Sequence, residues 1–287
     1  MKRQLIEFEI ENNEVVITSC SCTDEKVTIP STFNGIKVTK IGEKCFKNCD
    51  SIKDIVLPNT IDCIEPYAFW GCSSLEKINI PSGIDTINDY TFRECSSLKS
   101  IVLPDTIEHI NQFAFYKCSS LEKITLPSNL NDIGSCAFSE CTKLRSITIP
   151  KTVTYIGDYA FEECISLETV KLPSKLEEIN YSTFGGCSSL KQISIPNTVT
   201  LIDNYAFCGC TSLKDVTLPK SLKVIKSRAF SGCSSLKQIS IPNSVETLEE
   251  GIFKGSPVKV TVPRIVQDKI IDKFLHEKSK AIGFGEY

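Results

Sequence analysis

The sequence predicts a repeat solenoid, a right-handed β-rich superhelix whose short strands form a parallel sheet on one face. Three residue types recur every 23 positions, and a fixed period of about 20 to 50 residues is typical of stacked-repeat architectures. The phenylalanine column is Phe46, Phe69, Phe92, Phe115, Phe138, Phe161, Phe184, Phe207, Phe230 and Phe253. Proline keeps the same spacing from Pro58 to Pro242, and cysteine keeps it from Cys49 to Cys233.

Each repeat begins with a short strand, which the stretch from residue 98 to 120 illustrates. Ile101 and Leu103 alternate with polar positions, the pattern of a strand with one buried face. Pro104 has no N–H to donate, so we expect the strand to end there. Strands of successive coils are then predicted to pair in parallel.

The second half of the repeat predicts an inward-facing arm and a sharp turn. Ile107 and Ile110 lie three residues apart and are expected to point inward. The next position is often Gly or Asn, as at Asn111 and Gly134, which predicts a turn that includes positive φ angles. Phe115 and its equivalents are predicted to stack through the interior as an aromatic spine.

The consensus L-x-x-I-x-[IL]-P-x-x-[VIL]-x-x-I-x-x-x-[AT]-F-x-x-C-x-[SK] resembles the BspA-type leucine-rich repeat. The resemblance covers the chain from about Val27 to Val262. It implies a right-handed leucine-rich-repeat solenoid used for protein contact, including adhesion to host matrix proteins. It implies no set of catalytic residues.

Three segments are predicted along the chain. Residues 1–29 break the period and form an N-terminal β-hairpin cap that turns at Asn12 and Asn13. Residues 30–262 form a solenoid of about ten repeats, the first with a bulged loop around Phe33 to Gly35. Residues 263–287 form a C-terminal capping helix, from Arg264 to Lys280, and a tail; docking of a partner is the alternative role of this helix.

Size and charge exclude several classes of partner. The 287 residues carry 32 basic and 35 acidic side chains, a net charge of −3, which gives no reason to expect nucleic acid or an anionic membrane. No apolar run reaches the length of a membrane span. Glu7, Glu9 and Glu11 interrupt what would be the apolar core of a signal peptide, so the expected location is cytoplasmic. The alternative is the cell surface, reached by an unconventional route.

The chain is cysteine-rich, with 15 cysteines, and nine of them occupy one repeat position. Such a column is predicted to form a ladder of small, buried side chains one strand spacing apart. The odd total favours reduced thiols in a cytosolic setting. Only His109 and His276 could join cysteines at a metal, and no pair of C-x-x-C motifs is present. We expect no metal site and no cofactor.

No catalytic constellation is apparent. The two histidines lie far apart, and the phosphate-binding and dinucleotide-binding motifs are absent. Acidic pairs such as Glu177 and Glu178 are interpreted as solvated surface, because acid–base catalysis needs a cleft. The chain is therefore not expected to be an enzyme.

Outward positions of the strands form the first candidate binding surface, named here the strand face. Its side chains are mostly short and polar, a composition suited to extended protein contact and equally to exposed strands in general. The candidate residues are Lys77, Asn79, Ser100, Val102, Lys123, Thr125, Ser146, Thr148, Thr169, Lys171, Gln192 and Ser194.

A second candidate surface is aromatic and lies on one flank of the early repeats. The aromatic flank comprises Tyr67, Trp70, Tyr90, Phe113 and Tyr116. Aromatic side chains are enriched at binding hot spots, but they also pack between neighbouring coils. Both interpretations remain open at this stage.

These features predict a non-enzymatic protein-binding module that acts as a monomer. One hypothesis is a surface antigen or adhesin that binds a host matrix protein. The alternative is an intracellular scaffold or regulatory subunit that holds a cytosolic protein on its strand face.

Overall fold

A computed structural model describes residues 5–21 and 23–267. The chain divides into two compact units, unit 1 up to Leu144 and unit 2 from Arg145. The described part of unit 1 contains these strands: β1 (Leu5–Glu11), β2 (Glu14–Ser21), β3 (Lys26–Thr28), β4 (Thr32–Phe33), β5 (Ile36–Ile41), β6 (Asp54–Val56), β7 (Cys63–Ile64), β8 (Lys77–Ile78), β9 (Thr86–Ile87), β10 (Ser100–Val102), β11 (His109–Ile110), β12 (Lys123–Thr125) and β13 (Asp132–Ile133). The described part of unit 2 contains β14 (Ser146–Thr148), β15 (Tyr155–Ile156), β16 (Thr169–Lys171), β17 (Glu178–Ile179), β18 (Gln192–Ser194), β19 (Leu201–Ile202), β20 (Asp215–Thr217), β21 (Val224–Ile225), β22 (Gln238–Ser240), β23 (Thr247–Leu248) and β24 (Lys259–Thr261).

The predicted strands pair in parallel and in register, which confirms the solenoid. In unit 1, β3, β6 and β8 pair in that order, and β10 pairs with β12 so that Ile101 lies opposite Ile124. In unit 2, β14, β16, β18 and β20 form one sheet, and β22 pairs with β24. The pairing of β6 with β8 and that of β10 with β12 join residues 23 apart, whereas β3 with β6 joins residues 28 apart and β22 with β24 joins residues 21 apart. Successive coils therefore place their equivalent positions side by side.

A second row of two-residue strands runs along the next arm, and the sequence analysis did not predict it as strand. In unit 1, β9, β11 and β13 pair in parallel, and in unit 2, β17, β19, β21 and β23 do so. Each strand ends on a buried apolar residue such as Ile110 or Ile202. Two residues are too few to show an alternating pattern, which explains why the prediction missed them.

The start of the chain forms two hairpins. β1 pairs antiparallel with β2 through Asn12 and Asn13, both at positive φ, as predicted for the cap. The bulged loop predicted around Phe33 to Gly35 is instead a second hairpin, in which β4 pairs antiparallel with β5. Asn34 and Gly35 have φ angles of 50° and 81°, the left-handed conformation that a tight hairpin turn requires. The extra residues therefore extend the sheet rather than bulge from it.

The phenylalanine column forms the predicted aromatic spine within each unit. Neighbouring rings lie 5.2 to 5.4 Å apart from Phe46 to Phe138, and 5.2 to 5.9 Å apart from Phe161 to Phe253. The rings from Phe46 to Phe230 have no exposed surface. Because offset stacking adds to the large apolar area that each ring buries, this column contributes strongly to the stability of each coil.

The cysteine column is a ladder of hydrogen-bonded thiols. Seven sulfurs between Cys72 and Cys233 donate to the carbonyl of the phenylalanine 26 residues earlier, as in Cys118 Sγ to Phe92 O at 3.1 Å and Cys210 Sγ to Phe184 O at 3.1 Å. Cys49 Sγ donates instead to Cys20 O at 3.3 Å. Burial raises the pKa of these thiols, and that of Cys233 reaches about 12. Small size and a weak donor therefore explain why cysteine occupies this buried position.

Two cysteine details differ from the expectation. Cys20 is disulfide-bonded, whereas the odd number of cysteines favoured reduced thiols; the other described cysteines are thiols. In the last repeat Ser256 replaces cysteine, and its hydroxyl donates to Phe230 O at 2.8 Å while it accepts from Cys233 N at 2.8 Å. A serine hydroxyl therefore fills this position with the same donor geometry.

Positive φ angles lie at other positions than predicted. Asn88 keeps a negative φ, and its side-chain amide donates to Ile64 O of the preceding coil at 2.8 Å. At Gly134, an added Cβ would lie 2.6 Å from the backbone of Asn111, so glycine there permits close approach of two coils. The left-handed residues are instead the second one before the phenylalanine, such as Tyr90, and the second one after it, such as Lys117.

A helix begins close to the last described residue. Residues 264–267 are helical, and Val266 is fully buried. The remainder of the predicted capping helix, and the tail, lie outside the described residues.

Candidate protein interface

The strand face is exposed in both units. All twelve candidate side chains point away from the interior and are exposed, while the strand residues between them are buried or nearly so, such as Ile101, Ile124 and Ile147. Val102 is 79% exposed, the largest exposure among the large apolar residues of the described chain. Repetition at one strand spacing, about 4.8 Å, gives this surface regular columns of side chains within each unit.

Asn79 is the one strand-face candidate with a clear structural role. Its side-chain carbonyl accepts from Leu57 N at 2.8 Å, and its amide donates to Leu57 O at 2.9 Å. The side chain thus replaces the ladder hydrogen bonds beyond the shortened strand β8. Lys77, Lys123 and Lys171 differ, because in the described part of the chain no carboxylate lies within ion-pair distance of them.

The aromatic flank is a stacked cluster within unit 1. Tyr67 and Tyr90 stack at 4.6 Å, and Tyr90 and Phe113 stack at 4.7 Å, with interplanar angles of 7° and 8°. Trp70 and Tyr116 pack beside this stack. All five side chains are half-buried. These five residues therefore cluster, as predicted. They do so by packing between coils, with the ring faces turned towards one another.

Cations of the same unit cover the remaining aromatic faces. The Arg93 guanidinium lies 4.9 Å from the Tyr116 ring and 5.2 Å from the Trp70 ring, and the Lys47 ammonium lies 4.1 Å from the Trp70 ring. Burial and a hydrogen bond to Glu140 raise the pKa of Tyr116. Since these faces already contact cations, the flank has less aromatic surface to offer a partner than the sequence suggested.

A polar groove of about 420 Å³ runs past the end of this flank in unit 1, and its lining includes Glu94, Lys117, Glu140 and Ser119. The charged groups pair internally. Glu94 pairs with Arg93 at 3.1 Å, and Glu140 accepts from the Tyr116 hydroxyl at 2.7 Å. The hydroxyl of Ser119 donates to Ser96 O of the previous coil. The groove is thus a seam of the coil stack whose polar groups are largely satisfied.

Sequence reasoning missed one charged column, named here the entry column, which consists of the residue immediately before each strand of the strand face from β3 to β22. In unit 1 it reads Glu25, Lys53, Glu76, Lys99 and Glu122, and in unit 2 it reads Arg145, Glu168, Lys191, Lys214 and Lys237. Unit 1 alternates in sign, whereas unit 2 ends in three lysines. The signal was present in the sequence, since each of these residues from Lys53 onwards directly follows the buried Leu or Ile that precedes the strand.

The entry column lies at the edge of the strand face. Backbone hydrogen bonds join successive members, as in Lys53 N to Glu25 O at 2.7 Å and Lys214 N to Lys191 O at 3.0 Å. Side chains of opposite sign pair across coils, as in Lys53 with Glu25 at 2.7 Å and Lys191 with Glu168 at 2.5 Å. The column is therefore continuous within each unit. Its charge pattern depends only on which charged residue each coil places at this position.

Neither a metal site nor a membrane-spanning helix is present in the described residues. Within residues 5–21 and 23–267, no three His, Cys, Asp or Glu side chains lie close enough together to hold a metal ion. No helix in that part of the chain is long and apolar enough to cross a bilayer.

The repeat geometry agrees with a known family. The sequence profile of the BspA type leucine rich repeat region matches residues 18–145 and 131–259, in six copies. The chain belongs to this family. The resemblance seen in the repeat consensus is thereby confirmed for this BspA-type protein, whereas no curated protein matches the chain.

Solved structures share the fold. A leucine-rich repeat protein from Bacteroides ovatus is 29% identical, with a TM-score of 0.67 over 91% of this chain and 70% of that chain. The T. pallidum leucine rich repeat protein is 25% identical, with a TM-score of 0.50 over 80% of this chain and 87% of that one. The pneumococcal vaccine antigen PcpA is 21% identical, with a TM-score of 0.59 over 93% and 82%, a likeness of fold alone.

Proposed function

We propose that this BspA-type chain is a non-enzymatic protein-binding module whose contact surface is the strand face. The observation that carries the proposal is the exposure of the twelve strand-face candidates above a fully packed interior. The family favours protein contact as the function, and regular columns of short side chains suit an extended partner.

The strand face is a better candidate than the aromatic flank because its side chains are available. Lys123 and Lys171 project from exposed strand positions and have no carboxylate within ion-pair distance in the described chain. Val102 adds an exposed apolar contact beside Ser100. In the aromatic flank, by contrast, ring faces are covered by other rings and by Arg93 and the lysines.

The test is affinity capture from extracts of the source cells with charge-reversal variants. Lys123→Glu in unit 1 and Lys171→Glu in unit 2 should each lose the partner if it spans the strand face. Glu250→Lys is the control, since Glu250 is exposed away from that face, whereas the Glu249 carboxylate accepts from Ser227 N at 2.9 Å and has a structural role. Retention of the partner by both strand-face variants contradicts the proposal.

We further propose a non-catalytic role inside the cell, as a monomeric scaffold or regulatory subunit. Thiols predominate among the described cysteines, which favours a reducing compartment. The buried ladder is a poor reporter of compartment, because its high pKa values protect it from oxidation anywhere. Half-buried Cys63, Cys136 and Cys208 are better reporters.

Adhesion at the cell surface is the second candidate function, and membership of the family favours it. Labelling of intact source cells with a membrane-impermeant reagent separates the two. Labelling only after lysis supports the scaffold, whereas labelling of intact cells supports the adhesin and makes host matrix proteins the partners to test. Light scattering of the purified chain tests the monomer.

A further inference from the structure

The entry column of unit 2 carries positive charge that the structure does not neutralise. Lys191 pairs with Glu168, but Lys214 and Lys237 have no carboxylate within ion-pair distance among residues 5–21 and 23–267. All three lysines are exposed. Successive coils bring their backbones together, since Lys214 N donates to Lys191 O at 3.0 Å. Like charges are therefore held one strand spacing apart, about 4.8 Å, without a counter-charge between them.

Lys259 extends this basic edge. Its backbone N donates to Lys237 O at 2.8 Å, and its exposed side chain stands beside Gln238, its register partner in β22. Two carboxylates share the edge, Glu168 and the exposed Asp215 at the start of β20. Five cations (Arg145, Lys191, Lys214, Lys237 and Lys259) and two anions leave a net charge of about +3 at neutral pH.

In unit 1 the same column carries three acids and two bases, a net charge of about −1 at neutral pH. There acid and base alternate from Glu25 to Glu122, and Lys53 pairs with Glu25 at 2.7 Å. The fold therefore does not require lysine at this position. The row of lysines in unit 2 is a departure from the pattern that minimises repulsion between coils, and an anionic partner would remove that repulsion.

We propose that the basic entry column of unit 2 binds an acidic segment of the partner protein. This inference rests on the proposed function and names the chemistry of its contact. Flexible lysines at about 4.8 Å intervals can reach carboxylates at alternate residues of an extended chain, which recur about every 6.8 Å. Gln192 and Gln238 stand exposed on the adjoining strands, where their amides can donate to and accept from a peptide backbone.

A protein segment suits this surface better than a sulfated polysaccharide. The net charge is modest, because Glu168 and Asp215 lie within the patch, and the neighbouring strand positions are neutral amides and hydroxyls. A densely charged polyanion would be repelled by those carboxylates. A short acidic peptide can place its carboxylates on the lysines and its backbone on the glutamines.

The probe is a fluorescent peptide of alternating glutamate and serine, with a glutamine–serine peptide as its uncharged counterpart. We expect the full chain to bind the acidic peptide, measured by anisotropy, and to bind it less as salt increases. Lys214→Glu should weaken binding by about tenfold or more. This change gives the unit 2 column the strict alternation of unit 1, so the variant is expected to fold, which circular dichroism checks.

The matched control is Lys220→Glu, which makes the same charge change at an exposed position beyond the other end of the strand. It should leave peptide binding unchanged. Equal weakening by the two variants would show a non-specific charge effect and overturn the proposal. Tighter binding of heparin, with displacement of the peptide, would overturn it in favour of a polysaccharide.

A captured partner separates failure of this inference from failure of the proposed function. A partner lost with Lys171→Glu but retained with Lys214→Glu leaves the strand face as the interface and refutes the acidic segment. A partner that survives every strand-face change, while the acidic peptide still requires Lys214, refutes the strand face and leaves the basic column as a binding site.

Discussion

Unit 1 and unit 2 fill their interior positions with the same residue types and differ in the columns that face solvent. Both stack phenylalanine rings at 5.2 to 5.9 Å, and both bury thiols that donate to phenylalanine carbonyls. The entry column, however, alternates in sign in unit 1 and ends in three lysines in unit 2. The stacking of coils constrains the interior alone, so the surface columns are where the two units can diverge in function.

The two units also differ in a second column, at a position where the backbone is left-handed. The second residue after each phenylalanine has a positive φ, and from Gly186 to Gly255 unit 2 uses glycine there. Unit 1 also uses Gly71 there, but it places Glu94, Lys117 and Glu140 at that position in its next three coils, with φ angles of 58° to 62°. Glu163, the first such residue of unit 2, has a φ of 54°. Left-handed backbone disfavours Glu and Lys relative to glycine.

The largest effect tests whether the two interiors are equivalent. Phe115→Ala in unit 1 and Phe207→Ala in unit 2 each remove a fully buried ring stacked on both sides. Each should lower the free energy of unfolding by about 3–5 kcal/mol, because a cavity replaces the ring. Urea denaturation of both variants measures this. A loss below about 1 kcal/mol in only one unit would show that its spine is not part of the cooperative core.

The thiol ladder predicts a loss of stability at alkaline pH in both units. Burial raises the pKa of Cys118 and Cys233 above that of an unfolded thiol. The stabilisation is complete below the unfolded pKa, near 8.5, and is lost as pH rises towards the folded pKa, because the unfolded chain then releases protons that the folded chain retains. Each thiol should reduce the free energy of unfolding by about 1.4 kcal/mol per pH unit in that range.

Cys118→Ser isolates one contribution to this pH dependence. Ser256 shows that a hydroxyl satisfies the position, so the variant should fold at neutral pH and lose one thiol's share of the alkaline slope. The measurement is the unfolding midpoint between pH 8 and 11 for the variant and the parent chain. Identical slopes would mean that the thiols do not set the alkaline limit.

A smaller effect concerns the glycine column of unit 2. Gly209 has a φ of 73°, and an added Cβ would meet Gly186 only at ordinary contact distance, 3.6 Å. Gly209→Ala should therefore destabilise by about 1 kcal/mol through backbone conformation alone. Gly209→Asn should be milder, since Asn48 adopts the same conformation in the equivalent position of unit 1. Equal losses for both variants would indicate a steric cause.

The interior was predictable from sequence because every coil obeys one packing rule, so a column such as Phe46 to Phe253 repeats the same evidence many times. The left-handed conformation of Tyr90 was not predictable, since aromatic residues rarely adopt it. In the structure it is accompanied by stacking against Tyr67 and Phe113 and by a hydrogen bond from Tyr90 N to Gln112 O at 3.0 Å. The aromatic flank was identified from the sequence with both binding and packing left open, because sequence cannot show that Arg93 contacts its rings. The charges of the entry column could be read from the sequence. The excess of lysine in unit 2 becomes apparent only when the column is compared with that of unit 1.

The smallest effect tests that comparison directly. Lys214→Glu restores alternation in unit 2 and should raise the midpoint of thermal unfolding by up to about 2 °C, because attraction replaces repulsion between exposed charges. Lys99→Glu makes the reverse change in unit 1, where it would leave three adjacent acids from Glu76 to Glu122, and should lower the midpoint by a similar amount. Both shifts should vanish in high salt, which screens surface charges. If Lys214→Glu instead lowers the midpoint, the lysine row is not a source of repulsion, and the argument that an anionic partner relieves it loses its physical basis.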